Sequence, residues 1–107
     1  MSTASKSARR LTRTRRTAIL KALADPHRYA LLERIARARH LMGCAEARTA
    51  LRISPATLSH HIKELETAGL IDVRRQGKFA YLTLRPGVLD SLAAGLKALG
   101  ASVCAGR

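Results

Sequence analysis

The sequence predicts a mainly helical domain with one small β-hairpin, in the order α-α-α-α-β-β-α, and three observations carry the prediction. Apolar residues recur at helical spacing along most of the stretch from Thr14 to Thr67, the period of helices with one buried face. Between Leu70 and Leu84 the period changes to two around Gln76-Gly77, which reads as two strands joined by a tight turn. In the last segment Leu89, Leu92, Leu96, Leu99 and Val103 return to alternating spacings of three and four, the seam of a helix that packs against another helix.

Taken in order, the first helix carries Ile19, Leu20 and Leu23 on its apolar face. Asp25-Pro26 stops it and starts the second, because proline suits the first turn of a helix and not its interior. Tyr29, Leu31, Leu32 and Ile35 form the buried stripe of that second helix, with Arg28, Arg34, Arg37 and Arg39 left in water. The run His40 to Gly43 breaks the pattern, and Cys44 to Leu51 makes a short third helix with Ala47, Ala50 and Leu51 inward. Arg52-Ile53 is a tight connection. Ser54 is a good N-cap and Pro55 a good first-turn residue, so the fourth helix starts there and ends at Gly69, a glycine placed to close a helix. Two helices joined by so short a turn make a helix-turn-helix. Pro86-Gly87 ends the hairpin, and Gly95 and Gly100 weaken the last helix enough that it needs a partner to pack on.

At 107 residues the chain is one small domain with a modest core, short of stability unless a partner covers more apolar surface, so a homodimer is expected. Twenty Lys and Arg against seven Asp and Glu give a formal charge of +13. That excess points to a polyanionic partner, with nucleic acid first among candidates. Lys6, Arg9, Arg10, Arg13, Arg15 and Arg16 precede the first acid, Asp25, and without them the rest still carries +7. Residues 1–16 are therefore read as a basic arm with little to bury, disordered when free, and residues 17–107 as the folded domain. An apolar run of membrane-spanning length and a signal-peptide pattern are both missing, so a cytoplasmic, soluble protein with no membrane partner is expected. Cys44 and Cys104 are too few for a disulfide framework and read as reduced thiols.

On the fourth helix, Leu58, Ile62 and Leu65 share one stripe, and Ala56, His60, Lys63 and Thr67 lie opposite, with Ser59 beside them. That outer face is small, polar and net basic, and His60 and Lys63 are long enough to reach base edges or phosphates from a major groove. Ser54 and Thr57, near the end where unpaired N–H groups gather, suit phosphate contact. Arg74, Arg75 and Lys78 at the hairpin tip could grip the backbone beside it. The neighbours His60 and His61 point about 100° apart on a helix and cannot chelate one ion as an i, i+4 pair would. His60 faces outward, and His61 sits on the flank of the apolar stripe, where it braces the fold. Tyr29, Phe79 and Tyr81 read as core or dimer packing, and His27 as a solvated first-turn residue.

KALADPHRYALLERI, followed by ISPATLSHHIKELETAGLIDVRRQGKFAYLTL, resembles the winged helix-turn-helix repressors of the ArsR/SmtB type over about residues 17 to 104. The resemblance implies a homodimer joined through the first and last helices, a recognition helix at 54–68, a wing at 74–79, and double-stranded DNA as the partner. It also implies a bacterial repressor that leaves its operator when a metal, metalloid or oxidant signal arrives. Members that sense soft metals carry a pattern like Glu-Leu-Cys-Val-Cys-Asp-Leu at the start of the third helix. Here the run is His40-Leu41-Met42-Gly43-Cys44-Ala45-Glu46-Ala47, and aligning Glu46 with the family acid puts Cys44 between the two cysteine positions. A lone thiolate does not hold a soft metal, which takes three or four N or S ligands; Cys104, His40 or the arm would have to complete the set. The other family site, an Asp-x-His pair with further ligands on the last helix, is unmatched, since residues 86–107 contain Asp90 but no His. No metal site and no cofactor are therefore expected, and the inducer is left unidentified. Two alternatives stand for Cys44 and Cys104: sensor thiols, with Cys44 activated by a helix N-terminus and nearby Arg residues, or small apolar fillers.

No set of residues suggests an enzyme: there is no Gly-rich phosphate loop, no Ser-His-Asp or Cys-His arrangement, and no paired carboxylates. The function expected is a dimeric, sequence-specific, DNA-binding transcriptional repressor. The alternative is a sequence-tolerant nucleic-acid binder of nucleoid or RNA-binding type, with the arm as its main contact.

Overall fold

Thr12 Oγ1 accepts the Arg15 N–H at 3.1 Å, and helix α1, Arg13–Leu23, follows from that cap. The computed structural model describes residues 10–105, with side chains from 10 to 102. The expected arm of residues 1–16 is thus shortened, because Arg13, Arg15 and Arg16 belong to α1; Lys6 and Arg9 lie outside the described residues. Asp25 Oδ1 accepts the His27 N–H at 2.8 Å and caps helix α2, Pro26–Arg37. The bond from His27 N–H holds the Asp25 carboxyl below its ordinary pKa. Arg28 does not stay in water as expected. Its side chain is 14% exposed, and its Nε donates to the Ala22 carbonyl at 2.8 Å, satisfying an orphan acceptor at the end of α1.

The break at His40 to Gly43 contains a strand. Strand β1, Met42–Gly43, pairs antiparallel with β3, Met42 opposite Leu82 and Gly43 opposite Tyr81. Helix α3, Cys44–Leu51, and helix α4, Pro55–Thr67, follow. Strands β2, Ile71–Gln76, and β3, Phe79–Leu84, form the hairpin, and the sheet order is β1-β3-β2. Helix α5, Val88–Ala105, ends the described chain. The fold is therefore α-α-β-α-α-β-β-α, the expected mainly helical domain and hairpin with one short strand added.

The end of α4 explains Gly69. Leu70 N–H donates to the Leu65 carbonyl and Gly69 N–H to the Glu66 carbonyl, both at 3.0 Å, with Gly69 at φ +81. This is the glycine-closed helix end in which the flanking apolar residues touch, and Leu65 and Leu70 are both fully buried. The core lies where α1, α2 and α4 meet the sheet, around Ile19, Leu31, Leu65, Ile71 and Leu82.

Within one copy of the chain, three side chains expected to be covered, Leu20, Tyr29 and Phe79, are not. Ala22, not Leu20, completes the buried face of α1, and Leu20 and Tyr29 are about half exposed. Phe79 is 61% exposed beside the hairpin turn, since Gln76–Phe79 is the last pair before the loop. On α5, by contrast, Val88 and Leu92 are buried and Leu96 and Leu99 stand exposed, in keeping with a helix expected to need a partner.

Candidate nucleic-acid interface

Helix α3 ends with Arg52 in the left-handed region, φ 56 and ψ 47, and that residue turns the chain toward α4. Ser54 Oγ then accepts the Thr57 N–H at 3.1 Å and donates to Thr57 Oγ1 at 2.9 Å. Both hydroxyls predicted to meet phosphate are therefore part of the cap, with the Thr57 hydroxyl proton left over. Pro55 has no N–H and the Ser54 carbonyl accepts that of Leu58, so Ala56 carries the remaining donor of the first turn. The first turn of α4 holds no acid and its last turn no base. Its positive end is uncompensated, and such an end favours an anion.

Ala56, Thr57, Ser59, His60 and Lys63 are all exposed on α4, as the helical wheel predicts. The opposite face differs in one respect: its centre is Leu58, His61 and Leu65, all buried, with Ile62 only half-buried. His61 is 5% exposed and lies within the stripe itself, its ring stacked on His27 at 6.4 Å between centroids. Its Nδ1 is buried without a hydrogen-bond partner. Burial lowers the His61 pKa, and Asp25 opposes that shift. The two adjacent histidines are thus divided between solvent and core.

The wing is a six-residue ladder from Ile71–Leu84 to Gln76–Phe79. Gly77, at φ +61, and Lys78 close it as a two-residue turn, with glycine in the position that needs positive φ. Arg74 and Arg75 alternate across the ribbon, and both are exposed, as is Lys78. None of the three has a carboxylate partner among the described residues; the acids that pair there are Asp25, Glu33, Glu46 and Asp72, with Arg28, Arg37, His40 and Arg85. The short strand β1 ties the wing's inner strand to the first residue of α3. The hairpin and the helix-turn-helix are therefore one braced unit.

Sequence reasoning missed Arg52. It is exposed, two residues ahead of the α4 cap, and adds a cation at the end of the helix where the donors gather. Its place in the helix–helix turn was the signal, hidden because a helical wheel ignores connections.

Cys44, the first residue of α3, is half-buried. Burial raises its thiol pKa and nearby Arg75 lowers it less, which weighs against the sensor-thiol alternative. The side chain of Cys104 lies outside the described residues. His40 Nε2 lies 2.9 Å from Glu46 Oε2. Among the described residues, no three His, Cys, Asp or Glu side chains stand where they could hold one ion, and no helix is long and apolar enough to cross a membrane.

A family model described as a helix-turn-helix domain matches residues 23–74, which hold α2, α3, α4 and the first half of the wing. The chain is 32% identical over 85 residues to the uncharacterized HTH-type transcriptional regulator YceK of Bacillus subtilis, covering 72% of this chain and 85% of that protein. It is 37% identical over 79 residues to the arsenic resistance transcriptional regulator ArsR1 of Pseudomonas putida, 74% of this chain and 61% of that relative's length. Among solved structures, an ArsR family transcriptional regulator superposes with a TM-score of 0.78 at 24% identity, covering 92% of this chain and 99% of that one. The homodimeric winged helix-turn-helix DNA-binding domain of a possible ArsR-family regulator from Mycobacterium bovis superposes with a TM-score of 0.63 at 25% identity, covering 85% and 79%.

Proposed function

This chain belongs to the ArsR-type winged helix-turn-helix regulators of transcription, DNA-binding proteins, and from that premise we propose that it is a homodimeric repressor released from its operator by a chemical signal. The exposed face of α4 lies in the major groove, where His60, Ser59 and Lys63 read base edges. Ser54, Ala56, Thr57 and Arg52 meet the phosphates at its start, and Arg74, Arg75 and Lys78 follow the backbone alongside. The observation that carries the reading is the juxtaposition of an α4 N-terminus with no acid in its first turn and a wing whose three cations have no acid partner among the described residues.

The homodimer is supported by α5, an 18-residue helix whose Leu96 and Leu99 are 53% and 66% exposed, and by the homodimeric Mycobacterium bovis neighbour. Joining two copies through α1 and α5 covers that seam and sets two α4 helices to meet a two-fold symmetric site. The raised pKa of Cys44 weighs toward a packed thiol and a signal other than oxidation. Treatment with peroxide, read by operator binding and a non-reducing gel, tests this; a crosslink together with lost binding would reinstate the thiol route.

Binding to a specific duplex and to a scrambled one, each over a range of salt, tests the whole reading. A specific duplex bound at least ~10³-fold more tightly is expected. Equal affinity for both would transfer the chain to the sequence-tolerant class, with the basic residues of α1 as its main contact.

A further inference from the structure

We propose that the cleft between the start of α1 and the β3–α5 connection is a binding site for a small organic anion, a carboxylate or phosphate ester. The cavity measures about 360 Å³, at the lower end of the range for small-molecule sites. Arg10, Arg15 and Arg85 line it, and Leu11, Pro86 and Val88 supply an apolar floor. Two of the guanidinium groups converge on one point. A Cβ built on Gly69 would lie 2.6 Å from Arg15 Nη2 and 3.6 Å from Arg85 Nη1, so the two cations are within about 6 Å of each other over the bare glycine.

Like charges gathered this closely repel unless a counter-charge lies among them. The acid paired there is Asp72, which accepts from Arg85 Nη2 at 3.1 Å. Arg10 and Arg15 have no acid partner among the described residues. Guanidinium groups in this arrangement match the paired oxygens of a carboxylate or phosphate, and the apolar floor favours an organic body on the anion.

The cleft lies away from the surface that meets DNA. Ile71–Leu84 is the pair at the end of the hairpin opposite its Gly77 turn, roughly 17 Å along the ribbon at the rise of a strand. Gly69 follows the C-terminal end of α4, the end opposite Ser54, at a rise of about 1.5 Å per residue. A DNA phosphate held by the wing or by the start of α4 therefore does not reach these arginines. The anion joins the start of α1, Arg85 after β3 and the start of α5. A role in regulation rests on the dimer proposed above, since α1 and α5 are its helices; binding itself does not.

The test titrates the full chain, without DNA, with sodium benzoate, glycerol phosphate and inorganic phosphate at constant ionic strength, and reads thermal unfolding and calorimetric binding. At least one probe is expected to bind saturably and raise the melting temperature. Preference for benzoate identifies a carboxylate site, and preference for the phosphates a phosphate site. Arg15→Gln and Arg10→Gln, both on exposed residues, should weaken binding tenfold or more, while Arg74→Gln on the wing leaves it unchanged. Absence of saturation with every probe, or equal losses in the cleft and wing variants, would overturn the site. Operator binding by the same wild-type protein is measured separately, so failure of the repressor reading and failure of the cleft are distinguishable.

Discussion

The outer face of α4 with its wing, and the outer half of α5, are both incomplete surfaces, but they lack opposite things. Around α4 every exposed candidate is small, polar or cationic, and the wing cations have no acid partner among the described residues. Along α5 the exposed side chains of Leu96 and Leu99 are apolar, and the described charges of the helix are Asp90 and Lys97 alone. Unpaired cations on a rigid frame call for a polyanion and give a salt-dependent interaction. Exposed leucines at helical spacing call for an apolar partner and give one that salt scarcely weakens. One domain thus carries two unlike surfaces, and in the proposed dimer the second doubles the first.

Breaking the apolar surface should have the largest effect. Leu96→Glu together with Leu99→Glu removes two leucines from the pairing seam, each worth about 1.5–3 kcal/mol when fully buried, and sets like charges against each other. A monomer in sedimentation equilibrium is expected, with operator affinity down on the order of 100-fold or more. An intact dimer would remove α5 from the interface. The cationic surface should respond next. Arg74→Gln with Arg75→Gln should weaken every duplex alike and reduce the salt slope by about 0.9 for each phosphate that is no longer neutralised, as read by fluorescence anisotropy. An unchanged slope would place the wing off the DNA.

Within α4 the effect should be smaller and of another kind. His60→Ala is expected to relax operator preference by about 1–3 kcal/mol at the affected base pair, with binding to scrambled DNA unaltered. Its neighbour should instead register in stability. Burial depresses the folded pKa of His61, so the unfolded chain binds a proton first as the solution is acidified. The stability from a neutral His61 is fully present above the unfolded value, about 6.5. It is lost as the pH falls through that value toward the lower folded one. Thermal unfolding followed from pH 7.5 to 5 should show this slope in the wild type and a flatter one in His61→Leu; parallel curves would show that His61 is not the group titrating. The smallest effect should come from Arg52→Gly. Relief of its left-handed backbone should add about 1 kcal/mol of stability, while loss of the cation weakens DNA binding slightly.

The same contrast explains what the sequence made legible. The helices of the core and the exposed face of α4 follow from spacing, and Ser54, Pro55 and Gly69 mark the ends of α4 by local chemistry. His60 and His61 separate on the wheel for the same reason. Features made by residues distant in the chain were not legible. Two residues of β1 are too short for any period, and only Leu82 and Tyr81 opposite them reveal a strand. Arg28 reads as a solvated base until the Ala22 carbonyl is found beside it, and Phe79 reads as core or dimer packing until its place at the end of the hairpin removes the core alternative. The Gly69 closure was legible, but the two arginines lying over it come from α1 and from the residue after β3, and no local pattern joins them.

In the function proposed, the exposed face of α4 reads a defined DNA sequence on behalf of a two-fold dimer. Selection of bound sequences from a random duplex library tests it most directly. Enrichment of an inverted repeat whose half-sites lie one helical turn, or a whole number of turns, apart is expected, with the preference degraded at one position in each half-site by His60→Ala. A library that emerges with no enriched motif, or the same motif selected unchanged by the variant, would contradict it.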